Sequence, residues 1–174
     1  EILDIFQHNK NIKIFATYKN NKILNTHKNV NVYKYDIQFS SKKLINLIKK
    51  KSIKYIYYMA TPKINLNKNS NLKKYNNFYF DFPITLLKKI KNKKICFYYP
   101  STVFVNQKIN EYTSTKLKFE KYIKKNFSKN LTINCPKLPE INTRQNINFF
   151  NRKFPSFIRL LNTNKQMRND LFFN

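Results

Sequence analysis

Glycine is absent from all 174 residues, where average usage near 7% would place roughly a dozen. A P-loop, a G-x-G-x-x-G dinucleotide turn, a G-x-S-x-G nucleophile elbow and an EF-hand loop all need glycine at fixed places. These residues therefore hold none of them. Cysteine and histidine are scarce, two each: Cys96, Cys135, His8 and His27. They lie far apart in sequence, with no metal-ligand spacing and no disulfide framework, so the expected setting is the reduced cytoplasm. No signal-peptide pattern opens the chain, and no run of 18 apolar residues is long enough to span a bilayer. The longest apolar stretch, Ile95 to Val105, is broken by Pro100, Ser101 and Thr102. Carboxylates are few as well: eight Asp and Glu stand against 35 Lys and Arg, a formal charge of +27.

What is abundant qualifies that charge. The chain holds 31 Lys, 28 Asn and 20 Ile, but only 4 Arg and 2 Ala. The enriched residues have A/T-rich codons and the depleted ones G/C-rich codons, so an AT-biased gene accounts for much of the lysine as solvated surface. A positive field still attracts polyanions whatever its origin. With 41% apolar and 16% aromatic residues, the chain can bury a core, and its length suits one domain.

Apolar runs alternate with segments of helical period, the rhythm of a parallel sheet covered on both faces. Strands are expected at 12–18, 30–35, 53–60, 94–99 and 131–135, all in one sheet. Helices are expected at 41–51, capped by Ser40 or Ser41, over most of 78–90 with Pro83 near the start, and at 110–126. The Asn/Lys-rich stretch 65–77 reads as a loop, and 145–174 as one or two short helices. The fold class is α/β, a Rossmann-like doubly wound parallel sheet. Glu1 falls inside an amphipathic segment (Ile2, Leu3, Ile5, Phe6), so the first strand of that sheet is expected to lie outside these residues.

Ligands of open parallel sheets sit beyond the carboxyl ends of the strands. Those ends read Thr17-Tyr18-Lys19, Asp36-Ile37, Ala60-Thr61-Pro62, Ser101-Thr102 and Pro136 to Pro139. Just after the fourth comes Tyr112-Thr-Ser-Thr-Lys116, on the strongest helical pattern. Tyr and Lys four apart share a helix face. With 12 Tyr and 31 Lys, about two such spacings arise by chance, and two occur, the other being Tyr18/Lys22. Context separates them. On a helical wheel Lys116, Phe119, Ile123 and Phe127 cluster near Tyr112, while Lys118, Lys121, Lys124 and Lys125 fall opposite. A lysine in an apolar stripe is costly unless paired or employed, although it can also snorkel from the stripe's edge.

Six segments in order, FATYKN after the first strand, YDI at 35–37, IYYMATP at 56–62, FYYPSTVFV at 97–105, EYTSTKLKFEKYI at 111–123 and CPKLPEINTRQN at 135–146, resemble the short-chain dehydrogenases/reductases. The likeness is to their NAD(P)-dependent epimerase/dehydratase branch of extended type. It runs over residues 1–145, with the Gly-rich strand and loop absent. It implies an NAD(P)-binding domain at 1–144 and a remnant of the substrate region at 145–174. It further implies that Tyr112 is the acid/base, that Lys116 lowers its pKa and binds the nicotinamide ribose, and that Ser101 or Thr102 holds the substrate oxygen.

The cofactor residues it implies are Thr17, Tyr18, Lys19, Asp36, Ile37, Ala60, Thr61, Lys116 and Pro139. The basic end of the first strand leans toward NADP over NAD. The implied substrate is a nucleotide sugar, to be epimerised, dehydrated or reduced, with no specific nucleic-acid partner, no membrane and a homodimer as one assembly. Two other readings stand beside this one: a basic nucleic-acid-binding domain, with tyrosines such as Tyr55, Tyr57 and Tyr58 stacking on bases, and a Rossmann-fold remnant without catalysis.

Overall fold

The computed structural model describes residues 2–20, 27–38, 40–62, 72–106, 110–127, 131–139 and 156–172. They fall into two compact units, 1–39 and 40–174. The boundary expected at 144/145 lies outside the described residues.

In the first unit, α1 (Ile2–Phe6) precedes two parallel strands, β1 (Ile14–Tyr18) and β2 (Val30–Lys34), with Ile14 opposite Val30 and Tyr18 opposite Lys34. None of their residues is fully buried. His8 and His27, remote in sequence, meet edge to face with ring centroids 4.9 Å apart.

The second unit begins with α2 (Lys42–Lys50), which buries Ile45 and Ile48. Ser40 accepts from the Lys42 amide at 3.2 Å, whereas Ser41 makes no side-chain cap bond. The helix ends as many do: the Ile53 amide donates to Ile48 and the Ser52 amide to Lys49. The residue after such a cap takes a left-handed backbone, normally glycine. With no glycine in the chain, Ser52 adopts it, at φ 50°.

A three-stranded parallel ladder follows, in the order β3 (Tyr55–Tyr57), β4 (Ile95–Tyr98), β6 (Leu131–Asn134). A shorter parallel pair joins β5 (Ser101–Thr102) to β7 (Lys137–Leu138). Ile95 pairs with Leu131 and Ser101 with Lys137, the same offset. The second pair thus continues the first in register, interrupted where Pro136, which has no amide proton to give, stands opposite Pro100. All five expected strands form, and every pairing is parallel.

They do not form one continuous sheet. Among the described residues the β1–β2 and β3–β4–β6 ladders are separate.

The stretch expected as loop up to residue 77 is helical from its described start. It runs as α3 (Leu72–Asn76), one π-helical turn (Asn77–Asp81), then α4 (Phe82–Ile90). Pro83 explains the turn. In an α-helix its missing amide would leave the Tyr79 carbonyl without a donor; in the wider π turn it deprives the Phe78 carbonyl. The Phe82 amide instead reaches back to Asn77. The two orphaned carbonyls are filled from the sheet: the Tyr58 hydroxyl donates to Phe78 at 2.6 Å and the Tyr99 hydroxyl to Tyr79 at 2.9 Å. The two phenol rings stack nearly parallel, 5.9 Å apart, and Tyr99 stacks on Phe119 at 4.0 Å.

Phe119 belongs to α5 (Glu111–Asn126), which Asn110 opens with a reciprocal capping box: the Thr113 amide donates to the Asn110 side chain, and the Asn110 amide to the Thr113 hydroxyl. Two short helices, α6 (Phe157–Thr163) and α7 (Lys165–Phe172), close the described chain, as expected. Among the described residues, no helix is long and apolar enough to cross a membrane.

Two stability measurements follow from these contacts. Ser52→Gly is expected to raise the unfolding free energy by about 1 kcal/mol in urea titrations, by removing the left-handed penalty. Tyr99→Phe is expected to cost about 1–3 kcal/mol, because it leaves the buried Tyr79 carbonyl without a donor. In a Pro83→Ala background, where an amide proton is restored, that cost should shrink; equal costs in both backgrounds would refute the account of the π turn. Tyr98→Phe is the control. Its buried hydroxyl has no hydrogen-bond partner among the described residues, so its loss should be close to neutral.

Candidate functional site

The site grows from the end of β4. Carbonyls two residues apart on a strand face the same side, so the Pro100 carbonyl points where the Tyr98 carbonyl does, and the latter accepts from Tyr58 of β3's extension. Beyond Tyr58 the chain turns away through Thr61 and Pro62. The Lys116 ammonium takes the place of the next amide and donates to Pro100 at 2.6 Å.

Lys116 is only 6% exposed. Its nitrogen sits 5.0, 5.6 and 5.2 Å from the ring centroids of Tyr79, Tyr99 and Tyr112, a cage of three tyrosine faces. Burial brings its pKa down to about 7; Cys135 and Glu120 act in the other direction. The Cys135 thiol is itself pushed up to about 12 by burial and by Glu120, and so is neutral at physiological pH. Glu120 is therefore the charge that opposes the desolvation, and the three ring faces favour the ammonium in the same sense.

The expected arrangement around the tyrosine forms only in part. Thr102, 5% exposed, shares a side-chain hydrogen bond with Tyr112. The neighbouring Ser101 does not serve there: its hydroxyl donates to the Glu120 carboxylate, a very short contact between two buried side chains. Ser101 is thus turned to Glu120, and Thr102 stands beside Tyr112.

The Tyr112 phenol is pushed up to about 12 by burial, with the Thr102 bond pulling down and Tyr75 adding to the rise. This corrects the expectation that Lys116 lowers it. The ammonium lies over the ring and bonds to Pro100, so desolvation decides the direction. Tyr112 also packs edge-on against Tyr79 and Tyr75, at 5.3 and 6.3 Å.

The implied cofactor residues divide between the two units. In the first, β1 ends at Thr17 and Tyr18. Lys19 pairs with Asp36 at 2.8 Å and donates to Gln38 at 3.3 Å, with Ile37 between these two partners. Burial pushes the Asp36 carboxyl up, but bonds from Lys19 and the Gln38 amide, with the charge of Lys19, outweigh it and hold the carboxyl below its usual range. In the second, Ala60 and Thr61 follow β3, and the Thr61 hydroxyl meets the Tyr79 hydroxyl at 2.5 Å. Burial raises the Tyr79 phenol well above its ordinary value, against the pull of that bond. Pro139 directly follows β7.

Sequence reasoning missed Glu120 and Tyr79. The first stands four residues after Lys116, a signal available from helical spacing. The second had no signal, because its position depends on the π turn.

No family model matches the sequence, and neither does any curated protein. Solved structures do. A monomeric L-threonine 3-dehydrogenase from a metagenome superposes with a TM-score of 0.64 at 18% identity, over 80% of this chain and 49% of that one. A short-chain dehydrogenase from Burkholderia cenocepacia, in complex with NADP, gives 0.68 at 10% identity, over 88% and 72%. A short-chain dehydrogenase/reductase from Saccharomyces cerevisiae gives 0.63 at 15%, over 97% and 78%. The chain thus spans about half the length of the threonine dehydrogenase. At these identities the likeness establishes the fold: a Rossmann-like α/β domain of the architecture these dehydrogenases share.

The buried ammonium has a direct signature. With Cε-labelled lysine, one resonance should titrate near pH 7, well below the ordinary lysine value of about 10.4, and Lys116→Met should remove it. Because the folded value lies below the unfolded one, the unfolded chain binds the extra proton between those limits. Wild-type stability should then rise with pH from about 7 to 10 relative to Lys116→Met, by at most about 1.4 kcal/mol per pH unit. A flat difference would place the ammonium in water.

Proposed function

We propose that this chain carries the catalytic core of an NAD(P)-dependent oxidoreductase or epimerase of the short-chain dehydrogenase/reductase type, acting on a nucleotide sugar. The observation that carries the reading is the convergence of Thr102, Tyr112 and Lys116 at the carboxyl end of β4 and β5. Strand ends are where ligands of this fold bind, and these are the side chains whose chemistry the reaction needs.

The residues fit a nicotinamide dinucleotide in part. Within the first unit, Thr17, Tyr18, Lys19, Asp36 and Ile37 carry side chains of the kind that serve an adenosine end. Ala60, Thr61, Lys116 and Pro139 would serve the nicotinamide half. A cradle for the pyrophosphate is not among these glycine-free residues. Lys19 supports NADP, and the charge it shares with Asp36 makes that preference narrow. When bound, the dinucleotide supplies or accepts the hydride. The protein supplies position and a proton.

A phenol with a pKa near 12 holds its proton at neutral pH. Tyr112 therefore acts as the acid, delivering its proton to a substrate carbonyl oxygen that Thr102 also bonds, and the favoured direction is reduction. An ammonium keeps three donors. Lys116 commits one to Pro100 and would turn another to the ribose.

Tyr112→Phe is expected to lower kcat by about 10²–10⁴-fold with NADPH affinity nearly unchanged, since only the proton relay is lost. Lys116→Ala should damage both turnover and cofactor affinity. Thr102→Val should lower kcat, and Ser101→Ala should leave it within a few-fold, because Ser101 is occupied by Glu120. Full activity with Phe at 112 would overturn the assignment. Loss of activity only in the Ser101 variant would assign the hydroxyl role to the other residue.

A further inference from the structure

The outer side of α5 carries an open groove of about 420 Å³, lined by Phe80, Lys118, Lys121, Tyr122 and Lys125 among others. Among the described residues, every ionisable lining side chain but the Tyr122 phenol is a lysine, and no carboxylate lines the groove. Phe80 and Tyr122 meet edge to face at 5.5 Å, half-buried. Lys118 lies 4.0 Å over the Phe80 ring, and Lys88 reaches across from α4 to 5.6 Å over Tyr122. A lysine-rich chain scatters ammonium groups everywhere, so the charge by itself marks nothing. The local feature is a concave surface where four lysines gather around two aromatic rings.

We propose that this groove binds single-stranded nucleic acid without sequence preference. Lys118, Lys121 and Lys125 lie along one helix face and span about 10 Å at a rise of ~1.5 Å per residue. That length matches a short run of phosphates on one strand, one at most to each ammonium. Phe80 and Tyr122 offer the flat faces on which bases stack, and stacking tolerates any base. The scarcity of Arg, the usual reader of base edges, fits binding that does not discriminate. A second copy of the chain suits the groove poorly, since like charges would meet in a protein of +27. A membrane also suits it poorly, because Phe80 and Tyr122 are half-buried and leave no projecting apolar wedge. The proposal is independent of the cleft around Tyr112.

The test is fluorescence anisotropy of the whole chain with a labelled oligothymidylate of about 15 nucleotides, from about 50 to 200 mM salt, with folding checked by circular dichroism. Lys118→Gln/Lys121→Gln/Lys125→Gln is expected to weaken binding at least about tenfold. It should also reduce the slope of log K against log salt by about two, since each lost phosphate contact removes ~0.7. Tyr122→Leu should weaken binding about tenfold and leave the salt slope unchanged. The control, Lys43→Gln/Lys49→Gln/Lys50→Gln on α2, removes the same charge from exposed positions and should change affinity less than about threefold. Equal losses in the two triple variants would overturn the proposal in favour of diffuse attraction. So would an absence of binding at the lowest salt. So would phosphatidylserine vesicles that bind the chain more tightly than the oligonucleotide and lose it with the groove triple, which would assign the face to a membrane.

Discussion

A buried carbonyl without a donor is the constraint on which the second unit is organised. Pro83 takes a donor away from the helix it enters. Pro100 and Pro136, set opposite each other, interrupt the parallel ladder. The strand around Tyr58 leaves the sheet before Pro100 is reached. The first and last of these strand oxygens that side chains from other elements answer: Tyr58 and Tyr99 for the π turn, Lys116 for Pro100. An unanswered acceptor there would cost about 1–3 kcal/mol, comparable to a sizeable part of a domain's net stability. The tyrosine-rich core is thus a set of donors as well as a packed volume.

The same constraint shapes the candidate site. Lys116 is drawn inward to Pro100, and Tyr99, one of the two tyrosines that satisfy the π turn, becomes a wall around its ammonium together with Tyr79 and Tyr112. Desolvation and the compensating charge of Glu120 then compete over its proton, and desolvation has the larger effect. Tyr112 is subject to the same desolvation, with less to oppose it, and its phenol stays protonated. A tyrosine and lysine at helical spacing do not by themselves make a tyrosinate. The ammonium must approach the hydroxyl rather than the ring face.

Glu120 links the two halves of this arrangement. It accepts from Ser101 at the end of the sheet and faces the electrostatic field of Lys116 and Cys135. Its engagement with Ser101 leaves Thr102 as the hydroxyl beside Tyr112. A one-residue ambiguity along the strand is resolved because successive side chains point to opposite faces. Ser101 and Thr102 therefore cannot both meet α5 in the same way.

Periodicity alone was enough to locate five strands, the long helix with Asn110 at its start, the two short C-terminal helices and the buried stripe of Lys116, Phe119 and Ile123, because apolar spacing reports which face leaves water. The absence of glycine excluded whole classes of phosphate-binding loop and forced Ser52 into a left-handed turn. Pairing was another matter. Two separate ladders, the π turn at Pro83 and the meeting of His8 with His27 depend on contacts between residues distant in sequence, which no local pattern encodes. So do the choice of Thr102 over Ser101 and the direction of the Tyr112 shift. A pKa is set by the solvent a group loses and the charges that replace it, and only the folded chain determines both.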